Sequence, residues 1–122
     1  MTYKLEITDH QPYITMIVTG ELTNHLIMEQ NAALTKLAEE KNITIFLVDL
    51  VNARFVGSIV DQYDYANNYM YVSKDVNRHH RLSLLVDPDD HSHDFIETVL
   101  RNNGFDVTIF RDREKAIEHL LK

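Results

Sequence analysis

Two short apolar segments open the chain and predict a pair of strands. YKLEIT (3–8) alternates apolar and polar residues, and YITMIVTG (13–20) is apolar and rich in β-branched residues. Alternation of this kind is typical of a half-buried strand, and Pro12 between the segments disfavours a helix. We therefore expect an antiparallel hairpin whose second strand ends at Gly20.

Two later segments are apolar at nearly every position. ITIFLVDL (43–50) and RLSLLVD (81–87) show this pattern, and VNARFVGS (51–58) after the first of them has the composition of a loop. A strand that is apolar on both faces is buried on both faces, as in the interior of a helix-covered sheet. We expect these two strands to lie side by side, and DVTIF (106–110) to form a further strand.

Helical spacing occurs in four places. Helices are predicted after Thr23 or Asn24, from Ile59 to about Lys74, from Asp90 to Asn103, and after Asp112. Gly104 stands where a left-handed C-terminal cap belongs. The third helix is expected to bury four apolar residues: Phe95, Ile96, Val99 and Leu100. The last helix carries four more: Ala116, Ile117, Leu120 and Leu121.

The predicted order ββαβαβαβα defines an α/β fold. Alternating strands and helices after a hairpin imply a mixed, mostly parallel five-stranded sheet with about four helices. The 122 residues suit one domain, 1–122. Three strands end in loops at 49–58, 87–91 and 111–112, and open α/β sheets usually bind ligands at such carboxyl ends.

Charge and composition narrow the class of function. The formal net charge of −7 argues against non-specific binding of nucleic acid, which depends on Lys and Arg, and against docking on anionic lipid. The sequence has no cysteine, which excludes disulfides and thiolate chemistry. It shows no secretory signal and no apolar run long enough for membrane insertion, so we expect a cytoplasmic protein.

Three segments carry a resemblance to a known family: VTGELT (18–23), IFLVDL (45–50) and FDVTIFRDREKAIEHL (105–120). Their order and spacing resemble the STAS, or SpoIIAA-like, domain of anti-sigma-factor antagonists over the whole chain, and the small stand-alone members of unknown role most of all. The resemblance implies a regulatory, protein-binding module that is not an enzyme and uses no cofactor.

The same resemblance points to Ser58. Regulators of this family carry an Asp-Ser-Ser-Gly signature after the third strand, where a kinase-type partner phosphorylates a serine. Residues 57–60 of this chain align with that signature and retain one serine, Ser58, but not the Asp, the second Ser or the Gly. The resemblance therefore implies a possible phosphorylation site at Ser58, and the alternative is an ordinary helix N-cap.

The segment DPDDHSHDF (87–95) is rich in acidic residues and histidine. It resembles the start of a response-regulator receiver domain, where carboxylates hold Mg²⁺, but the phospho-accepting and lysine strands do not follow. The weak candidates for a metal site are Asp87, Asp89, Asp90 and His91, with His91 able to act together with Asp87 or Asp94. We favour the alternative that acidic residues here stabilise the start of a helix through its dipole.

Tyrosines cluster in the predicted second helix, as Tyr63, Tyr65, Tyr69 and Tyr71 with Met70. Ordinary core packing explains such a stripe, and the alternatives are a homodimer face or a groove for a small apolar ligand. The groove for an apolar ligand rests on analogy with lipid-binding CRAL-TRIO proteins, which share the fold.

Two arginines are expected at the same sheet edge as the acidic segment. Arg54 is a candidate ligand or interface residue, and Arg54 and Arg111 are expected to pair with Asp49 and Asp87.

The sequence has neither a Gly-rich phosphate loop nor a nucleophile elbow. We therefore expect a self-associating, dimeric regulatory module with an unknown protein partner. The alternatives are a carrier of a small apolar ligand and a metal- or phosphoryl-responsive protein.

Overall fold

The computed structural model describes residues 2–7, 12–56, 80–102 and 104–122. Its strands are β1 (Thr2–Ile7), β2 (Ile14–Leu22), β3 (Ile45–Phe55), β4 (Arg81–Leu85) and β5 (Asp106–Phe110). Its helices are α1 (Asn24–Lys41), α2 (Asp94–Asn102) and α3 (Arg113–Leu120). The helix predicted from Ile59 to about Lys74 lies outside the described residues.

The five strands form one sheet in the order β1-β2-β3-β4-β5. β1 is antiparallel to β2, and the other neighbouring pairs are parallel. This confirms the predicted mixed, mostly parallel sheet with an initial hairpin. β3 and β4 are direct neighbours, paired from Ile45 and Arg81 to Asp49 and Leu85, so the prediction for the two apolar strands is also confirmed.

Helices cover both faces of the sheet because the central strands are apolar on both faces. Phe46 and Val48 of β3 pack in a cluster with residues of α1, while Leu47 packs with Ala116 and Leu120 of α3 on the opposite face. The buried hydroxyl of Ser83 donates to the carbonyl oxygen of Ala116, which ties β4 to α3. No described helix is long and apolar enough to cross a membrane.

β2 and β3 are longer than predicted. β2 continues through Gly20, which has a positive φ of 97°, and β3 continues to Phe55 through the predicted loop. Ile17 pairs with Asp49 while Thr19 pairs with Asn52, so β3 has one more residue than β2 at this point. Such a bulge breaks the two-residue period, and the pattern therefore falsely indicates the end of the strand.

The third predicted helix begins later than expected. α2 starts at Asp94 rather than Asp90, because residues 88–93 form turns. Phe95, which the sequence predicts to be buried, is 36% exposed. The C-terminal prediction is confirmed, since Gly104 has a φ of 89° and its N–H donates to the carbonyl oxygen of Arg101. In the last helix, Leu121 is also exposed rather than buried.

Side-chain caps fix the starts of α1 and α3. Thr23 Oγ1 accepts from the N–H of Leu26 at 3.4 Å, which selects Thr23 rather than Asn24 as the cap. Asp112 Oδ1 accepts from the N–H of Glu114 at 2.9 Å, as predicted.

Removing the Asp112 cap is expected to destabilise the protein. Asp112→Ala leaves the N–H of Glu114 without this acceptor, and we expect the free energy of unfolding to fall by about 1 kcal/mol. Urea denaturation measures the change. Asp112→Asn keeps an acceptor and should stay near wild type, and Glu118→Ala, at an exposed position of the same helix, is the control. Equal losses for Asp112→Ala and Glu118→Ala would contradict the capping role.

Candidate functional site

The carboxyl ends of the parallel strands meet at one edge of the sheet, here called the carboxyl edge. It comprises residues 49–56 of β3 and its end, the turn 86–93 after β4, and residues 110–113 after β5. A main-chain hydrogen bond from Val86 to Phe110 holds two of these segments together. The position is the one at which open α/β sheets usually bind their ligands.

The acidic residues before α2 satisfy the backbone of their own turn. Asp87 Oδ1 accepts from the N–H of Asp89 at 2.9 Å, and Asp90 Oδ1 accepts from the N–H of Ser92 at the same distance. Short acidic side chains commonly stabilise turns in this way. Ser92 Oγ in turn accepts from the N–H of Phe55 at 3.2 Å, which attaches the turn to the end of β3.

Asp90 is the central buried charge of the carboxyl edge. Its side chain is only 1% exposed and lies 3.7 Å from Nη1 of Arg54 and 3.6 Å from Nε2 of His93. Burial alone would raise the pKa of Asp90. The hydrogen bonds from Ser92 and the charges of His93 and Arg54 outweigh burial, so the pKa lies below its ordinary value. Asp90 is therefore held as a carboxylate.

His93 lies beneath Asp90, inside the protein. Its ring is 3% exposed, and its Nε2 is 3.5 Å from the carbonyl oxygen of Ala53. Burial lowers the pKa of His93, and the opposing effect of Asp90 is smaller. The ring is therefore uncharged at neutral pH.

Arg111 closes the outer side of the turn. Its Nη2 donates to the carbonyl oxygen of Asp90 at 3.0 Å and to Oδ1 of Asp94 at 3.1 Å. His91 Nδ1 lies 2.7 Å from Oδ2 of Asp94. Burial would raise the pKa of Asp94, but the bonds with His91 and Arg111 lower it overall. These contacts fix the start of α2 against the end of β5.

The structure changes the expected ion pairs. Arg54 and Arg111 do lie at the carboxyl edge, but they pair with Asp90 and Asp94 rather than with Asp49 and Asp87. Asp49 pairs with Arg113 at 2.6 Å, and its Oδ1 also accepts from the N–H of Val51 at the bulge. The arginines Arg54 and Arg111 and the carboxylate of Asp49 therefore each form an ion pair with another residue of the protein.

The metal candidates point to different partners. Asp87 and Asp90 accept hydrogen bonds from backbone N–H groups of the turn, while His91 contacts Asp94. No group of three or more potential metal ligands converges within residues 2–7, 12–56, 80–102 and 104–122. The metal site at Asp87, Asp89, Asp90 and His91 stays a prediction. Ser58 and the cluster Tyr63, Tyr65, Tyr69, Met70 and Tyr71 lie outside the described residues.

Sequence reasoning missed the buried roles of Asp90 and His93. The sequence predicts Asp90 near the exposed first turn of a helix, and local pattern does not contain its contacts with Arg54 and Arg111. Gln30, a buried polar residue of α1, was also missed. Its place in the helical stripe of Ile27 and Leu34, three and four residues away, was a usable signal.

The carboxyl edge and the adjoining start of α2 also present apolar and basic side chains outward. Arg54 is 63% exposed in its side chain, Val56 is 50% exposed, and Phe95 is 36% exposed. With the exposed His91, these residues are here called the edge surface. They are carried by a base that the Phe55–Ser92 and Arg111–Asp94 hydrogen bonds hold in place.

Three solved structures resemble the chain over nearly its whole length. An anti-sigma factor antagonist from Mycobacterium paratuberculosis is 16% identical, with a TM-score of 0.58 and coverage of 99% of this chain and 96% of that chain. An uncharacterised DUF3478-family protein with a SpoIIAA-like fold from Shewanella loihica PV-4 is 18% identical, with a TM-score of 0.57 and coverage of 98% and 92%. The anti-sigma factor antagonist SpoIIAA in its unphosphorylated form is 17% identical, with a TM-score of 0.56 and coverage of 98% of each chain.

No protein-family model matches the sequence, and no curated protein matches it. Structural likeness at such low identity shows the fold alone, because one fold hosts many functions. The likeness confirms the resemblance carried by VTGELT, IFLVDL and the closing β-α unit. The chain has the STAS, or SpoIIAA-like, fold.

Proposed function

We propose that the protein is a regulatory module, not an enzyme, that binds a protein partner through the edge surface. The observation that carries this proposal is the exposure of Phe95, Val56 and Arg54 on segments that the Phe55–Ser92 hydrogen bond joins. Aromatic and Arg side chains contribute most to protein-binding surfaces. A rigid base also reduces the entropy cost of binding.

The fold supports the same proposal. Two of the similar structures are anti-sigma factor antagonists, which act as regulators. Most charged groups of the carboxyl edge pair with one another, as the Asp94–Arg111 and Asp49–Arg113 pairs show. Such an arrangement suits a fixed binding surface better than proton or phosphoryl transfer. Phosphorylation at Ser58 and dimerisation stay predictions, for which intact-mass measurement and light scattering are the tests.

Quantitative affinity capture tests the edge surface. Immobilised wild-type protein and the double variant Arg54→Glu with Phe95→Asp are incubated with extract of the native cell, and captured proteins are compared by mass spectrometry. We expect the amount of the specific partner captured by the double variant to be at least about tenfold lower than with wild type. This corresponds to a loss of about 1.4 kcal/mol in binding free energy.

A matched control makes the comparison specific. Lys36→Glu with Leu121→Asp introduces the same types of change at exposed positions on α1 and after α3. This control should capture as much partner as wild type, and circular dichroism checks that all three proteins are folded. Equal capture by both double variants, or no protein that distinguishes them, would contradict the proposed surface.

A further inference from the structure

A cavity of about 80 Å³ lies between the sheet and the helices α1 and α2. Its walls are mostly aliphatic and include Val48 and Leu84 from the sheet, Ile27 from α1 and Leu100 from α2. A cavity of about 150 Å³ takes up benzene, which has six non-hydrogen atoms, so this one has room for a group of about three to four.

One buried polar side chain in the cavity wall has an unused donor. Gln30 is only 3% exposed, and its Nε2 has no hydrogen-bond partner in the described part of the chain. Buried donors are nearly always paired in folded proteins, since leaving one unpaired costs stability. An acceptor inside the cavity would satisfy this group.

The cavity wall carries no formal charge. Of the residues that line it within the described ranges, none is Asp, Glu, Lys or Arg, and His93 is the only titratable one. His93 is 3% exposed, and burial lowers its pKa, so its ring is neutral at neutral pH. Placing a charged ligand group in such surroundings without a partner would be unfavourable.

We infer that this cavity binds a small, neutral, mostly apolar molecule whose carbonyl oxygen accepts a hydrogen bond from Gln30 Nε2. The aliphatic walls contact the carbon atoms of the ligand, and the single donor fixes its orientation. The inference goes beyond the proposed partner binding and does not depend on it, since the cavity and the edge surface share none of their defining residues. Ordered water is the alternative occupant of the cavity.

Nuclear magnetic resonance titration with acetone, a neutral ketone of four non-hydrogen atoms, tests the inference. With methyl-labelled and amide-labelled protein, we expect saturable shifts of the Leu84 and Leu100 methyl groups and of the Gln30 side-chain amide. The exposed Leu121 methyl groups report non-specific solvent effects and should not follow the same curve. A lack of saturable shifts, or equal shifts at Leu121, would overturn the proposal.

Two variants of α1 separate the hydrogen bond from simple filling of the cavity. Gln30→Leu removes the donor and should weaken acetone binding about fivefold to tenfold, the loss of one hydrogen bond. Xenon, which needs no donor, should still bind this variant. Glu29→Gln, at an exposed neighbouring position, should bind acetone like wild type.

Three further outcomes would overturn the proposal. The first is equal acetone affinity for Gln30→Leu and wild type. The second is a contact between water and the Gln30 amide that persists at saturating ketone, which would identify water as the only occupant. The third is equal weakening in Glu29→Gln, which would assign the effect to α1 as a whole rather than to the Gln30 donor.

Discussion

Replacing Phe46 with alanine is expected to lower the free energy of unfolding by about 3–5 kcal/mol. Phe46 is 1% exposed near the start of β3, in the cluster between the sheet and α1, and its ring lies 5.0 Å from the His80 ring. Its removal deletes buried apolar surface and leaves a cavity that a central strand cannot easily close. Domains are commonly stable by only about 5–15 kcal/mol, so a large share of the total would be lost.

Urea denaturation followed by circular dichroism measures this loss. Val51→Ala is the control on the same strand, because Val51 is 37% exposed and its truncation should change stability by no more than about 0.5 kcal/mol. A loss for Phe46→Ala as small as that for Val51→Ala would mean that Phe46 does not face the core. The central position of β3 in the sheet would then be wrong.

Acidification is expected to destabilise the protein through His93. Burial holds the pKa of His93 in the folded protein below 6.5, its ordinary value, so the folded state binds fewer protons than the unfolded state. The contribution of the neutral His93 ring to stability is therefore fully present above about pH 6.5. It is lost as the pH falls from there through the lower folded-state pKa. The loss for one such group is at most about 1.4 kcal/mol per pH unit.

Protonation of Asp90 is also expected to destabilise the protein, but at lower pH. Burial raises the pKa of Asp90, but the Ser92 hydrogen bonds and the charges of His93 and Arg54 lower it by more. The net pKa therefore lies below the ordinary value of 3.8. A carboxyl group with a depressed pKa stabilises the folded state above its unfolded pKa and loses that contribution as the pH falls through the folded value. The contribution of Asp90 is therefore lost below about pH 4, and that of His93 is lost earlier.

Urea denaturation from about pH 7.5 to about pH 5 separates the two groups, since the ordinary pKa of a histidine lies within this range and that of an aspartate lies below it. We expect His93→Gln to lose most of the pH dependence that wild type shows below about pH 6.5. His25→Gln is the matched control, because His25 is exposed on α1, and it should keep the wild-type dependence. The same pH dependence in wild type and His93→Gln would show that protonation of this buried ring does not destabilise the fold.

The sheet could be predicted because its strands differ strongly in pattern. Segments 43–50 and 81–87 are apolar on both faces, which only the interior of a covered sheet satisfies, and the β-α alternation then defines the parallel order. The second half of β3 could not be predicted, because the bulge after Asp49 shifts the period and exposes Val51 and Asn52 in succession.

The candidate site was predictable in position but not in detail. Strand order placed Arg54, Arg111 and the acidic segment at one edge, as the structure shows. Arg54 and Arg111 contact Asp90 from far away in sequence, and an acidic residue shortly before a helix has the same local pattern whether it is buried or exposed. Which charge pairs with which is likewise set by the tertiary fold.

Hydrogen–deuterium exchange measures the position of the proposed binding surface most directly. Exchange is compared between the free protein and its complex with the partner that wild type captures and the Arg54→Glu, Phe95→Asp variant does not. Binding through the edge surface predicts slower exchange in residues 52–56 and 90–96, with β1 and α3 unchanged. Slower exchange confined to β1 or α3, with the edge surface unchanged, would contradict it.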